Sequence, residues 1–112
     1  MKNKIVLVPF PFDDLTSQKV RPAVCLTNEI QPYKHIVLAF ITSKVDKTQS
    51  KTDLVIESSD TDFAVTGLKV SSSIRLHRLM TLSSSLFVRE LGELSQNQRA
   101  EIKIRLKDLF EI

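Results

Sequence analysis

Glycine and cysteine are both scarce in this chain, two of the first and one of the second in 112 positions. With only Gly67 and Gly92, a glycine-rich loop whose backbone amides cradle a nucleotide phosphate is excluded. The single cysteine, Cys25, excludes an internal disulfide framework and fits a reducing compartment, so a cytoplasmic location is expected. Its setting, Ala23-Val24-Cys25-Leu26, suits a small buried hydrophobe better than a nucleophile. One cysteine with two distant histidines, His35 and His77, cannot supply the four ligands of a structural zinc site. The Asp13-Asp14 pair follows prolines, where acidic residues serve as turn formers before they serve a metal. Neither a metal nor an organic cofactor is expected. No apolar run approaches the roughly 20 residues of a membrane span. The basic start Met1-Lys2-Asn3-Lys4 leads into an apolar stretch that Pro9, Pro11 and Asp13-Asp14 soon break, which argues against a signal peptide. Internal repeats, low-complexity tracts and linkers are also missing, and one domain over residues 1–112 is expected.

What the chain does contain is ordinary in amount and informative in order. Hydrophobic residues make up 42%, charged ones 26%, and the formal net charge is +3, the profile of a folded globular protein that tolerates a polyanionic partner without requiring one. Ile5-Val6-Leu7-Val8 is a β-branched run closed by Pro9 and Pro11, which cannot donate to a ladder. Further strands are expected at Pro22 to Thr27, His35 to Thr42 and Leu54 to Ile56, with Ser43 to Lys51 an exposed polar connection. A fifth, announced by Gly67, runs from about Ser72 to Leu82. Its alternation puts Ile74, Leu76, Met80 and Leu82 on one face and Arg75, His77, Leu79 and Thr81 on the other, with Arg78 interrupting. A short helical turn is expected around Leu86 to Leu91, ended at Gly92. Ser95-Gln96-Asn97-Gln98 matches a capping box and opens a helix whose Ile102, Leu106, Leu109 and Phe110 share a face. Strands in succession closed by one helix predict a mainly β fold, a small, strongly curved antiparallel sheet or barrel, and not alternating βαβ units.

One constellation suggests chemistry. Lys19 and Arg21 flank the start of the second strand, while Thr42, Ser43 and Lys44 end the third. If the two strands are neighbours, a guanidinium and a hydroxyl meet at one edge of the sheet. Together they make a phosphate-binding unit, the planar fork engaging two oxygens and the hydroxyl adding a neutral donor. Spacing alone allows the plainer alternative, in which Arg21 is a surface charge and Thr42 a β-former at a strand end.

The run Lys4-Ile5-Val6-Leu7-Val8-Pro9-Phe10-Pro11-Phe12, then Lys19-Val20-Arg21-Pro22-Ala23-Val24-Cys25-Leu26, resembles the opening of the MazF/PemK family of toxin endoribonucleases. Its most specific part is Pro-Phe-Pro-Phe, a polar loop, and Arg-Pro-Ala-Val. Ala39-Phe40-Ile41-Thr42-Ser43 sits where that family carries a catalytic Thr or Ser at a strand end. Gly67-Leu68-Lys69 followed by Ser73-Ile74-Arg75-Leu76 is similar to its later strand. The resemblance implies an SH3-like antiparallel barrel of about five to seven strands with a C-terminal helix. It also implies a homodimer, metal-independent cleavage of single-stranded RNA at short sequences, and inhibition by a cognate antitoxin protein. Carried over by position, Arg21 matches the catalytic arginine and Thr42 the catalytic threonine, with Ser43 the substitute one residue on. Lys19, Lys44 and Arg75 are then expected to contact RNA, and His77 is an acid–base candidate by its chemistry alone. Asn3-Lys4 stands where the family often has Gly-Asp, and His77-Arg78-Leu79-Met80 departs from its acidic or amide residue followed by a basic one. Two alternatives share the barrel: a non-catalytic CcdB-like module that inhibits a protein target, and a family member that has lost nuclease activity.

Overall fold

A computed structural model describes residues 1–9, 19–45 and 51–112. The turn with Pro11 and Phe12, the Asp13-Asp14 pair and most of the polar connection after Lys44 lie outside the described residues. Six strands form one sheet: β1 (Lys4–Pro9), β2 (Val20–Cys25), β3 (His35–Thr42), β4 (Asp53–Ile56), β5 (Ser72–Ser83) and β6 (Arg89–Glu93). Their order is β4-β5-β3-β2-β1-β6, and every neighbouring pair is antiparallel. The sheet curls into a half-barrel, and helix α1 (Gln96–Phe110) follows it. Six strands and a terminal helix agree with the expected architecture. No helix among the described residues is long and apolar enough to cross a membrane.

Alternation along the central strands feeds two apolar clusters, one on each side of the sheet. Ile5, Val24, Ala39, Ile41, Ile74 and Leu76 join Leu94 and Ile102 beneath the helix. Val6, Val8, Ala23, Cys25, Ile36, Leu38 and Phe40 form the other. Fully burying each large aliphatic side chain contributes about 1.5–3 kcal/mol. Two-sided burial is why β3 reads as a nearly continuous apolar run rather than a polar–apolar alternation. Asn3 takes the left-handed region at φ 73°, which asparagine tolerates better than most residues, and its N–H donates to the Cys25 carbonyl at 2.8 Å. Lys4 lies 3.6 Å from both Glu90 and Glu93 on β6.

Two expectations are corrected. Between the pairs Ala39↔Leu79 and Phe40↔Arg75 the β3–β5 register shifts, so Leu76, His77 and Arg78 have no partner on β3. The bulge reverses the facing of everything after it. Leu79 packs with Ile74 and Leu76 against the helix-side cluster, while Met80 and Leu82 pack against the other. The second correction is at the segment expected to be helical, where only Ser84–Leu86 forms a single 3-10 turn. Beyond it the chain extends as β6, because the free edge of β1 offers a ladder, with Val88 N–H donating to the Leu7 carbonyl at 2.8 Å. Long-range pairing outweighs local preference here, and Gly92 lies inside a strand opposite Ile5 instead of ending a helix.

The capping box is present. The Ser95 N–H donates to Gln98 Oε1 at 2.8 Å and the Gln98 N–H donates to Ser95 Oγ at 3.1 Å. The Ser95 hydroxyl donates to Asp62 Oδ2 at 2.5 Å, which ties the helix start to the β4–β5 connection. Gln98 is therefore buried. Phe110 is 53% exposed, off the face that Ile102 and Leu106 bury. Arg105 guards the sheet edge, its Nη1 donating to the carbonyls of Lys51 and Asp53 at 3.0 Å each. Ser95→Ala removes both the cap and the Asp62 bond, and is expected to lower the unfolding free energy by about 1–2 kcal/mol in urea titration.

Candidate functional site

The register of β2 against β3 sets Ala23 opposite Phe40 and Cys25 opposite Leu38. Arg21 and Thr42 each lie two residues beyond the last pair of that ladder, toward the strand ends. Both line a cleft of about 610 Å³, together with Ser43, Lys44 and Arg75. Pro22 lies beside Arg21 on the wall. Proline biases the residue before it to an extended backbone, so the guanidinium is presented from a strand rather than a mobile turn.

Charge distinguishes this cleft. Arg21, Lys44, Lys69, Arg75, Arg78 and Arg89 line it, and no carboxylate does so among the described residues. Apolar atoms of Leu7, Phe40, Leu68 and Leu91 fill in between. A concave, partly apolar wall raises the local potential of the cations on it, so an anion with an apolar body is the ligand class that fits. Thr42 is half-buried, and its Oγ1 accepts the Lys44 N–H at 3.1 Å. That bond uses a lone pair and leaves the hydroxyl proton available to a ligand oxygen.

Two of the residues singled out in the sequence stand apart from this cleft. Lys19 is exposed, just before β2, and is not on the wall. His77 is also off the wall; its Nδ1 lies 3.1 Å from Thr52 Oγ1 and 3.8 Å from Asp53 Oδ1. Lys69, Arg78 and Arg89 were missed. Each is a single cation in a different segment, and only the curl of the sheet brings them to one cleft. Cys25 is buried, and burial pushes its thiol up to about 11, the nearby N-terminus opposing and Glu90 adding to the shift. A thiol is reactive as its thiolate, so folded protein is expected to resist iodoacetamide at pH 8 and unfolded protein to be alkylated, as read by mass spectrometry.

The fold has known counterparts. Mycobacterium tuberculosis toxin MazF-mt6 superposes with a TM-score of 0.73 at 22% identity, over 97% of each chain. A Deinococcus radiodurans MazF gives 0.71 at 18% identity, over 99% of this chain and 96% of that one. An endoribonuclease from Mycobacterial species, solved in complex with its cognate antitoxin, gives 0.76 at 13% identity, over 100% and 95%. No curated protein matches in sequence. At these identities the structures speak for the fold, and the sequence itself supplies the family. The model of the PemK-like, MazF-like toxins of type II toxin–antitoxin systems matches residues 1–110, and the chain belongs to that family.

Proposed function

We propose that this protein is a metal-independent endoribonuclease that cleaves single-stranded RNA as the toxin of a toxin–antitoxin pair. The observation that carries the reading is the cleft that Arg21 and Thr42 both line, with six cations and no carboxylate on its wall among the described residues. In metal-free cleavage the 2′-hydroxyl gives up its proton as its oxygen attacks the adjacent phosphorus, the P–O5′ bond breaks with O5′ taking up a proton, and the transition state carries added negative charge on the phosphoryl oxygens. Arg21 holds that charge, and a preorganised donor of this kind contributes about 3 kcal/mol. Thr42 donates its hydroxyl proton to a phosphate oxygen, with Ser43 the adjacent alternative. Lys44 and Arg75 hold neighbouring phosphates, and Lys19 meets the strand outside the cleft. A guanidinium is a poor general base, so the role given to Arg21 is to stabilise charge. His77 stands off the cleft wall, beside Thr52 and Asp53, and is an acid–base candidate by its chemistry alone.

The same reading includes a homodimer in the cytoplasm and a cognate antitoxin as partner. The structurally similar Mycobacterial endoribonuclease was solved with such an antitoxin, and exposed Leu86, Val88, Ile104 and Phe110 offer apolar surface for protein contacts. The test is incubation of a long unstructured RNA with the purified protein, with and without excess chelator, and mapping of the cut ends. Cuts at a short recurring sequence, with 2′,3′-cyclic phosphate and 5′-hydroxyl ends and unchanged by chelator, are expected. Intact RNA, with tight binding to a protein target instead, would favour a non-catalytic module on the same barrel.

A further inference from the structure

One edge of the sheet, β4, is only partly covered. It is the terminal strand beside β5, and an edge strand presents unpaired backbone groups to any chain that can pair with them. The Leu76 N–H donates to the Thr52 carbonyl at 2.9 Å. Bonded and non-bonded pairs alternate along an antiparallel ladder. Leu54 and Ile56 therefore turn their backbone groups to β5, while Asp53 and Val55 turn theirs outward. Arg105 closes one end of that outer row through the carbonyls of Lys51 and Asp53. At the other end the Glu57 N–H donates to Asp60 Oδ2 at 3.0 Å. Between them the N–H and C=O of Val55 have no partner among the described residues.

Beside this opening, between β4 and the first turns of α1, lies a groove of about 240 Å³ that shares no residue with the cationic cleft. Sites that enclose a whole small molecule start at roughly 300 Å³, so this groove suits side chains. Leu54 and Ile56 give it an apolar wall. Asp60, Asp62 and Glu101 give it charge, and no cation lines it among the described residues. Each carboxylate is held through one oxygen: Asp60 Oδ2 by the Glu57 N–H, Asp62 Oδ2 by the Ser95 hydroxyl, and Glu101 Oε1 by Arg105 Nε. The second oxygen of each is left to accept from a ligand.

We infer that this edge takes an extended segment of a partner protein, added antiparallel as a further strand and carrying a basic–apolar–basic pattern. Its central residue pairs with Val55 and exchanges both backbone hydrogen bonds with it. The residues on either side then point to the face of Leu54 and Ile56, into the groove. Lys or Arg fits there, its methylene stem on the apolar wall and its charged head at a free carboxylate oxygen. Charge separates the two surfaces, since the cleft suits a polyanion and this edge a polycation.

The probe is acetyl-Thr-Lys-Val-Lys-Thr-amide, titrated at low salt into isotope-labelled protein and followed by amide shifts and hydrogen exchange. A shift and slowed exchange are expected at the Val55 amide. Affinity should exceed that of acetyl-Thr-Glu-Val-Glu-Thr-amide at least about tenfold. N-methylation of the central valine removes the donor to the Val55 carbonyl and should weaken binding about tenfold. Glu101→Gln, which keeps an oxygen for Arg105, should weaken it severalfold. Asp108→Asn, at an exposed position of the same helix, and Arg21→Ala in the cleft should leave it unchanged. Equal binding of the Lys and Glu peptides, an N-methyl peptide that binds as well as its parent, or a Val55 amide that does not respond would overturn the inference. So would slow exchange at Val55 in the free protein that deepens with protein concentration, since a second copy would then hold the edge.

Discussion

Arg21→Ala is expected to fold like the wild type and to cleave RNA roughly 10²–10³ times more slowly, the usual cost of removing one preorganised donor to a transition-state charge. The side chain is exposed at the start of β2, outside both apolar clusters, so its loss leaves no cavity. Stability should stay within about 0.5 kcal/mol, as a thermal melt will show. Arg21→Lys keeps the charge but loses the planar fork that engages two phosphate oxygens, and should fall between wild type and alanine. Single-turnover rates on a mapped RNA substrate make the comparison. Full activity of Arg21→Ala, with an unchanged melt, would remove Arg21 from the site and with it the reason to pair Thr42 with a guanidinium.

Gly67→Ala is expected to damage stability and activity together, and for a different reason. Gly67 sits at φ 72°, where an L-residue with a side chain is disfavoured by about 1–2 kcal/mol. A Cβ there would also lie 2.0 Å from the Leu91 carbonyl oxygen. That contact is where the turn before β5 closes on the edge strand β6, and Gly92 makes the reciprocal approach to Val65 and Thr66. Neither neighbour is a flexible side-chain tip; both are backbone, so the elements must separate. A loss of at least about 2 kcal/mol is expected, from the backbone strain and the broken packing together. Because Gly67, Leu68 and Leu91 also line the cleft, cleavage should fall in the fraction that remains folded. Urea denaturation and activity measured well below the midpoint separate the two effects. An alanine variant as stable as the wild type would mean that the closure is not held by this contact.

Some of this protein was legible from local pattern alone. β1, β3 and β4 are runs of apolar and β-branched residues bounded by proline or polar segments. The helix start is written in Ser95 and Gln98, whose hydrogen bonds lie within one turn of chain. The family resemblance carried by the Arg-Pro and Ile-Thr-Ser segments pointed to Arg21 and Thr42, and both line one cleft. All of these depend on interactions between residues close in sequence.

The rest depended on pairings that no local pattern records. β6 exists because the edge of β1 was open to residues more than eighty positions away. The facing of Leu79, Met80 and Leu82 turned on a bulge opposite Ala39 and Phe40, and strict alternation assigned it wrongly. His77 has the chemistry for proton transfer, yet it stands off the cleft wall, beside Thr52 and Asp53. Lys69, Arg78 and Arg89 are unremarkable cations one at a time, and the cleft's charge arises only when a curled sheet brings five segments together. By itself the sequence determined five of the six strands, the helix cap and the family, since those follow from short-range sterics, hydrogen bonding and contiguous motifs. The tertiary structure decided which cations share a cleft, since that follows from register and closure.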